Sequence, residues 1–129
     1  MEKRIWSGRW IAPDVLEHTV SSAPAPAMIR SFELENLPQQ ALLYLASGGY
    51  HELYINDQRP DDRVLSPSPS QFDKHVHYVV YDITNLLKAG SNQIKILLGN
   101  GWYDCNTATV WRTEHTAWRD TVKLCCDLE

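Results

Sequence analysis

Ala41-Leu42-Leu43-Tyr44-Leu45-Ala46-Ser47-Gly48-Gly49-Tyr50-His51-Glu52-Leu53-Tyr54-Ile55-Asn56 decides the fold class. The run from Ala41 to Ala46 is apolar and carries the β-favouring Tyr44, as a buried strand does. After the paired glycines, Leu53 and Ile55 alternate with Glu52 and Tyr54, the two-residue period of a strand with one face buried. Ser47-Gly48-Gly49-Tyr50 between them reads as a hairpin connection. Asn56-Asp57-Gln58-Arg59 is the next turn, because Asn and Asp tolerate left-handed backbone angles.

Working outward, the same period recurs. Phe32 and Leu34 share a face in a strand over 28–35, and Ile94 and Ile96 in one over 92–98. Residues 76–83 form another, with Val79, Tyr81 and Ile83 facing one way and Val80 and Asp82 the other. The last strand spans 121–128. Between them, 60–73 is an irregular, proline-rich loop, 83–88 a single helical turn stopped at Gly90, and 102–120 a long polar and aromatic loop. Asp82 is placed to accept backbone N–H bonds at the start of that turn. Residues 1–27 read as a loose N-terminal segment and linker, with Trp6 and Trp10-Ile11 as apolar anchors and Ser21–Pro26 linker-like. The expectation is an all-β antiparallel sandwich over 28–129.

Composition narrows the function. A net charge of −4 gives no basic footprint, so nucleic acid is not an expected partner. No run of about 18 apolar residues crosses a membrane as a helix. No apolar stretch follows Met1-Glu2-Lys3-Arg4 before Pro13, so no signal peptide is read, and location stays open between cytoplasm and periplasm or secretion. Cys105, Cys125 and Cys126 are an odd set and argue against a disulfide framework.

From about residue 28 the chain resembles the bacterial α-L-rhamnosidase N-terminal domain of glycoside hydrolase family 78. The blocks that carry the resemblance are Arg30-Ser31-Phe32, Ala41 to Asn56, Phe72-Asp73-Lys74, Tyr81-Asp82-Ile83-Thr84-Asn85-Leu86-Leu87-Lys88-Ala89-Gly90-Ser91-Asn92, and Leu98-Gly99-Asn100-Gly101-Trp102-Tyr103. Asp57, Pro60 and Ser68 depart from the family's pattern. The 82–92 block also looks like the sugar-binding sandwich of β-galactosidases and β-glucuronidases; the Phe-Asp-Lys and Gly-Asn-Gly-Trp-Tyr blocks favour rhamnosidases. The resemblance implies a jelly-roll, galactose-binding-like sandwich whose closing strands lie past residue 129. It implies a non-catalytic accessory module that orients a downstream α/α-barrel or contacts rhamnose-containing glycan. The acid and base of an inverting hydrolysis would sit on that barrel. L-rhamnose and calcium are the ligands the resemblance brings into question.

Candidate contact residues follow from residue type. Asn100, Trp102, Tyr103, Asp104 and Trp111 cluster in the aromatic loop, with Trp118 further on. An exposed indole stacks on a pyranose C–H face, or the rings pack on the sandwich or a neighbouring domain. Asn56, Asp57, Asp61 and Asp62 supply three carboxylates and an amide, a calcium candidate or a solvated acidic turn. His75 and His77 share a strand face with Asp73, a pattern to test for zinc. No Gly-x-Ser-x-Gly element marks a nucleophile.

Overall fold

The computed structural model describes residues 3–14 and 24–129. Six strands run in chain order: β1 Ala27–Leu34, β2 Leu42–Gly48, β3 Tyr50–Ile55, β4 Tyr78–Asp82, β5 Gly90–Gly99 and β6 Lys123–Leu128. They form two antiparallel three-stranded sheets, ordered β1-β5-β3 and β4-β2-β6. The fold is a β-sandwich, as expected. Leu43, Leu45, Leu53, Ile55, Tyr81, Ile83, Ile96, Leu98 and Leu124 fill the space between the sheets. Burial of such side chains is the main force holding the sheets face to face.

The reading of Ser47–Tyr50 as a hairpin is corrected. β2 and β3 do not pair; they belong to different sheets. Gly49 sits at φ +101, which an L side chain rarely adopts, and this kink carries the chain from one sheet to the other. A hairpin would place both strands in one sheet. Here β2 is instead filled on both sides by β4 and β6.

The apolar run of β2 also has its explanation. Leu43 and Leu45 face the core, yet Ala46 on the opposite face is buried as well. That outer face is covered by the N-terminal segment and the 102–120 loop. Residues 4–11, expected to be loose, are fastened there. The Asp127 carboxylate accepts from Ser7 N (3.1 Å), Ser7 Oγ (3.0 Å), Gly8 N (2.6 Å) and Arg4 (3.3 Å). The Arg4 guanidinium lies 3.5 Å above the Tyr44 ring, and Trp6 meets Tyr78 edge-on at 5.7 Å. Ile11 and Leu124 exchange both backbone hydrogen bonds at 2.9 Å, adding a short strand contact to the outer edge of β6. Of the linker-like stretch, residues 21–23 lie outside the described residues.

The 82–92 block is a folding device. Asp82 Oδ1 accepts from Thr84 N (3.0 Å) and Thr84 Oγ1 (2.6 Å) ahead of the 3-10 turn Thr84–Leu86. The fully buried Asn92 accepts from Lys88 N (3.0 Å) and donates to Lys88 O (2.7 Å) and Gly90 O (3.1 Å). Asn56 donates to Asn92 Oδ1 and to Leu86 O, both at 2.9 Å, locking the two turns together.

Candidate functional site

Within the 102–120 loop, residues 109–116 are tied together by hydrogen bonds. Thr109 N and Oγ1 both donate to Glu114 Oε2 at 3.1 Å, Thr113 N donates to Thr109 Oγ1 at 3.1 Å, and Thr116 Oγ1 donates to Thr113 O at 2.9 Å. The N–H groups of Glu114 itself and of Thr109, then the Thr109 hydroxyl, outweigh burial and hold the Glu114 carboxyl below its ordinary range. Arg112 takes a left-handed conformation (φ +54) at the start of the 3-10 turn Thr113–His115. This framework presents Val110 at 88% and Trp111 at 71% exposure. Trp102 backs Trp111 edge-on, with ring centres 5.4 Å apart. The structure therefore brings two of the expected aromatic residues together at a convex tip.

Tyr103 points the other way. It is buried, lies against Gly48 and meets Phe72 edge-on at 5.0 Å. Gly48 is required by this approach, since a Cβ there would come within 2.7 Å of the Tyr103 ring. Asn100 is exposed and accepts from Asp104 N through its carbonyl at 3.1 Å. Asp104 faces Arg119 at 3.6 Å in an open polar cleft of about 490 Å³ shared with Glu114, His115, Thr116 and Asp120.

The acidic turn does not assemble a cation shell. Asn56 holds Asn92, Leu86 and Gln93; Asp57 pairs with Lys95 at 2.8 Å; Asp61 pairs with Arg63 at 2.6 Å; Asp62 is exposed. Calcium needs six to eight converging oxygens, and Asn56, Asp57, Asp61 and Asp62 do not fit that demand. The His75 and His77 rings lie 5.3 Å apart, tilted at 45° to each other, and the His77 Nδ1 lies 3.2 Å from Ser68 O. Among the described residues no group of three His, Cys, Asp or Glu side chains is arranged to hold a metal.

Two features escape the sequence. The first is a polar strut through the core. His51 on β3 reaches across to β2 and β4, with Nδ1 2.8 Å from Ser47 Oγ and Nε2 3.0 Å from the Tyr81 hydroxyl. Ser47 Oγ donates to Gly49 O, so the network assigns the proton to Nδ1 and leaves Nε2 to accept from Tyr81. Burial, then the nearby Arg63 charge, lowers the His51 pKa to about 4. The second is an apolar pocket of about 340 Å³ walled by Trp10, Gly48, Phe72, Val76 and Tyr103, with Lys123 at its side.

The profile of the α-L-rhamnosidase N-terminal domain matches residues 36–129. The chain belongs to the α-L-rhamnosidase N-terminal domain family. An α-L-rhamnosidase of Formosa agariphila is 41% identical over 80 residues, which is 62% of this chain and 8% of that protein. The crystal structure of native α-L-rhamnosidase from Aspergillus terreus superposes with a TM-score of 0.78 at 31% identity, covering 92% of this chain and 14% of that one. The Streptomyces avermitilis α-L-rhamnosidase, solved in complex with L-rhamnose, gives 0.73 at 25% identity, covering 82% of this chain and 10% of that one. The chain thus spans about a seventh or less of these relatives, in which the matching region is part of a much longer polypeptide.

Proposed function

We propose that this domain is a non-catalytic accessory module of an α-L-rhamnosidase, seating the catalytic α/α-barrel through the Val110–Trp111 tip. The observation that carries the reading is how the buried and half-buried carboxylates are used. Asp127 fastens the N-terminal segment, Glu114 braces the 109–116 turn, and Asp104 faces Arg119. A glycosidase acid needs a carboxyl held protonated, with its pKa raised. Glu114 and Asp127 are both shifted the other way; at Asp127 burial pushes up, and the bonds from Ser7, Gly8 and Arg4 together outweigh it.

The tip supports the seating role. The Thr109, Thr113 and Glu114 polar groups are bonded within the turn, while Val110 and Trp111 stand out as apolar knobs. Rigid, exposed aromatic anchors suit a pocket on a protein surface, because little order is lost on docking. In the rhamnosidase polypeptide carrying this domain, changing Val110 and Trp111 to serine is expected to leave the domain's own melting unaltered. It should lower the thermal midpoint of the catalytic part. An unchanged midpoint and rate would argue against the seating role.

A further inference from the structure

We propose that Asn100-Gly101 is a site of spontaneous covalent modification, where the asparagine loses ammonia through a cyclic imide and becomes aspartate or isoaspartate. The reaction needs the backbone nitrogen of the following residue to reach the asparagine side chain, and a side chain on that residue obstructs the approach. Asn100 is the one asparagine in the chain that glycine follows; Asn85 precedes Leu86 and Asn106 precedes Thr107. The fold leaves both reacting groups free. Asn100 is exposed, one residue past the end of β5 at Gly99. Among the described residues, neither its side-chain amide nor the Gly101 N–H has a hydrogen-bond partner. Asn56 and Asn92 are held, the first by donating to Leu86 O and Asn92 Oδ1 at 2.9 Å, the second by burial and its bonds to Lys88. Packing also demands the glycine. Gly101 lies at φ +53, and a Cβ there would come within 2.9 Å of the Tyr50 ring.

The step needs only water. Gly101 N gives up its proton and attacks Asn100 Cγ; the new N–Cγ bond forms, the Cγ–Nδ2 bond breaks, and ammonia leaves with that proton. Water then opens the ring. Attack at Cγ gives aspartate; attack at the main-chain carbonyl gives isoaspartate, with the chain routed through the side chain and one methylene longer. In isoaspartate the Asn100 carbonyl, which accepts from Asp104 N at 3.1 Å, becomes a free carboxylate. That bond begins the turn carrying Trp102 and Tyr103. The same carbonyl lies at the sheet crossing, 3.2 Å from where a Cβ on Gly49 would stand. The modification therefore acts at the root of the Trp102–Trp111 tip, whatever that tip contacts.

The test is incubation of the folded chain in buffers of rising pH, followed by peptide mass analysis and by methyl transfer from S-adenosylmethionine with an isoaspartate-specific methyltransferase. A peptide of residues 98–103 is incubated beside it. Loss of the Asn100 amide is expected in both, with isoaspartate at position 100, while Asn85 and Asn106 stay intact. The rate should climb with pH by up to about ten-fold per unit, because the attacking nitrogen must be deprotonated. The converted chain should show shifted Asp104 amide and Trp102 indole resonances. Asn100→Gln, whose longer side chain closes a less favourable ring, should remain unmodified. The proposal is overturned if the folded chain keeps the Asn100 amide while the peptide loses it, or if Asn85 and Asn106 convert as fast as Asn100. Neither result touches the non-catalytic reading, which only hydrolysis by this chain would remove.

Discussion

Lowering the pH is expected to weaken the sandwich through His51 alone by a measurable amount. His51 bridges the two sheets in its neutral form, with its pKa lowered to about 4 from 6.5, first by burial and then by Arg63; Asp61 opposes this weakly. Protons therefore bind the unfolded chain more readily. The contribution is fully present above about pH 6.5 and is lost as pH falls from there towards about 4. At 1.36 kcal/mol per unit, the change from about pH 7.5 to about pH 4.5 comes to roughly 2.5 kcal/mol. His51→Gln keeps a donor and an acceptor and cannot titrate. The assay is urea unfolding at both pH values, followed by tryptophan fluorescence, on the wild-type chain and the variant. Other titrating groups act on both chains, so the difference between the two pH dependences isolates His51. Equal pH dependences, or a His51 imidazole that titrates near pH 6.5 by NMR in the folded chain, would refute the reasoning.

Asn92→Ala removes a buried amide that ties Lys88, Gly90 and Asn56, and should cost about 3 kcal/mol in urea unfolding. Asp127→Ala leaves the Ser7 and Gly8 N–H groups without their acceptor. Amide exchange at Ser7, Gly8 and Ile11 should accelerate while the Leu43 and Leu45 amides stay protected. Since the Asp127 carboxyl is held low, the same release is expected in the wild type only as pH falls through and below the ordinary carboxylate range. Gly48→Val drives a branched side chain into the Tyr103 ring and should lower the melting temperature, with Phe72 and Tyr103 losing their fixed chemical shifts.

Most strands were legible because alternation is a local signal. Leu53 and Ile55 face the core, as do Tyr81 and Ile83. The sheet corner was not legible. Two glycines between strands look alike whether the chain folds back or crosses over, and the outcome rests on β6, which arrives about 75 residues later. The fastened N-terminal segment was hidden for the same reason: Ser7 and Asp127 are separated by 120 positions, and no periodicity marks the segment. In the aromatic loop, residue type pointed to Trp102, Tyr103 and Trp111 together, while backbone direction sends Tyr103 inward and the two tryptophans out. The pocket was beyond reach, since Trp10, Phe72, Tyr103 and Lys123 share nothing in sequence and are assembled only by the crossing of strands and loops.

The central claim is that this domain does no glycoside chemistry of its own. Its most direct test is the initial rate of 4-nitrophenyl α-L-rhamnoside hydrolysis by the purified, folded chain, beside a double variant Asp104→Asn, Glu114→Gln. Both are expected to match the buffer blank. Turnover by the wild-type chain that disappears in the double variant would contradict the account.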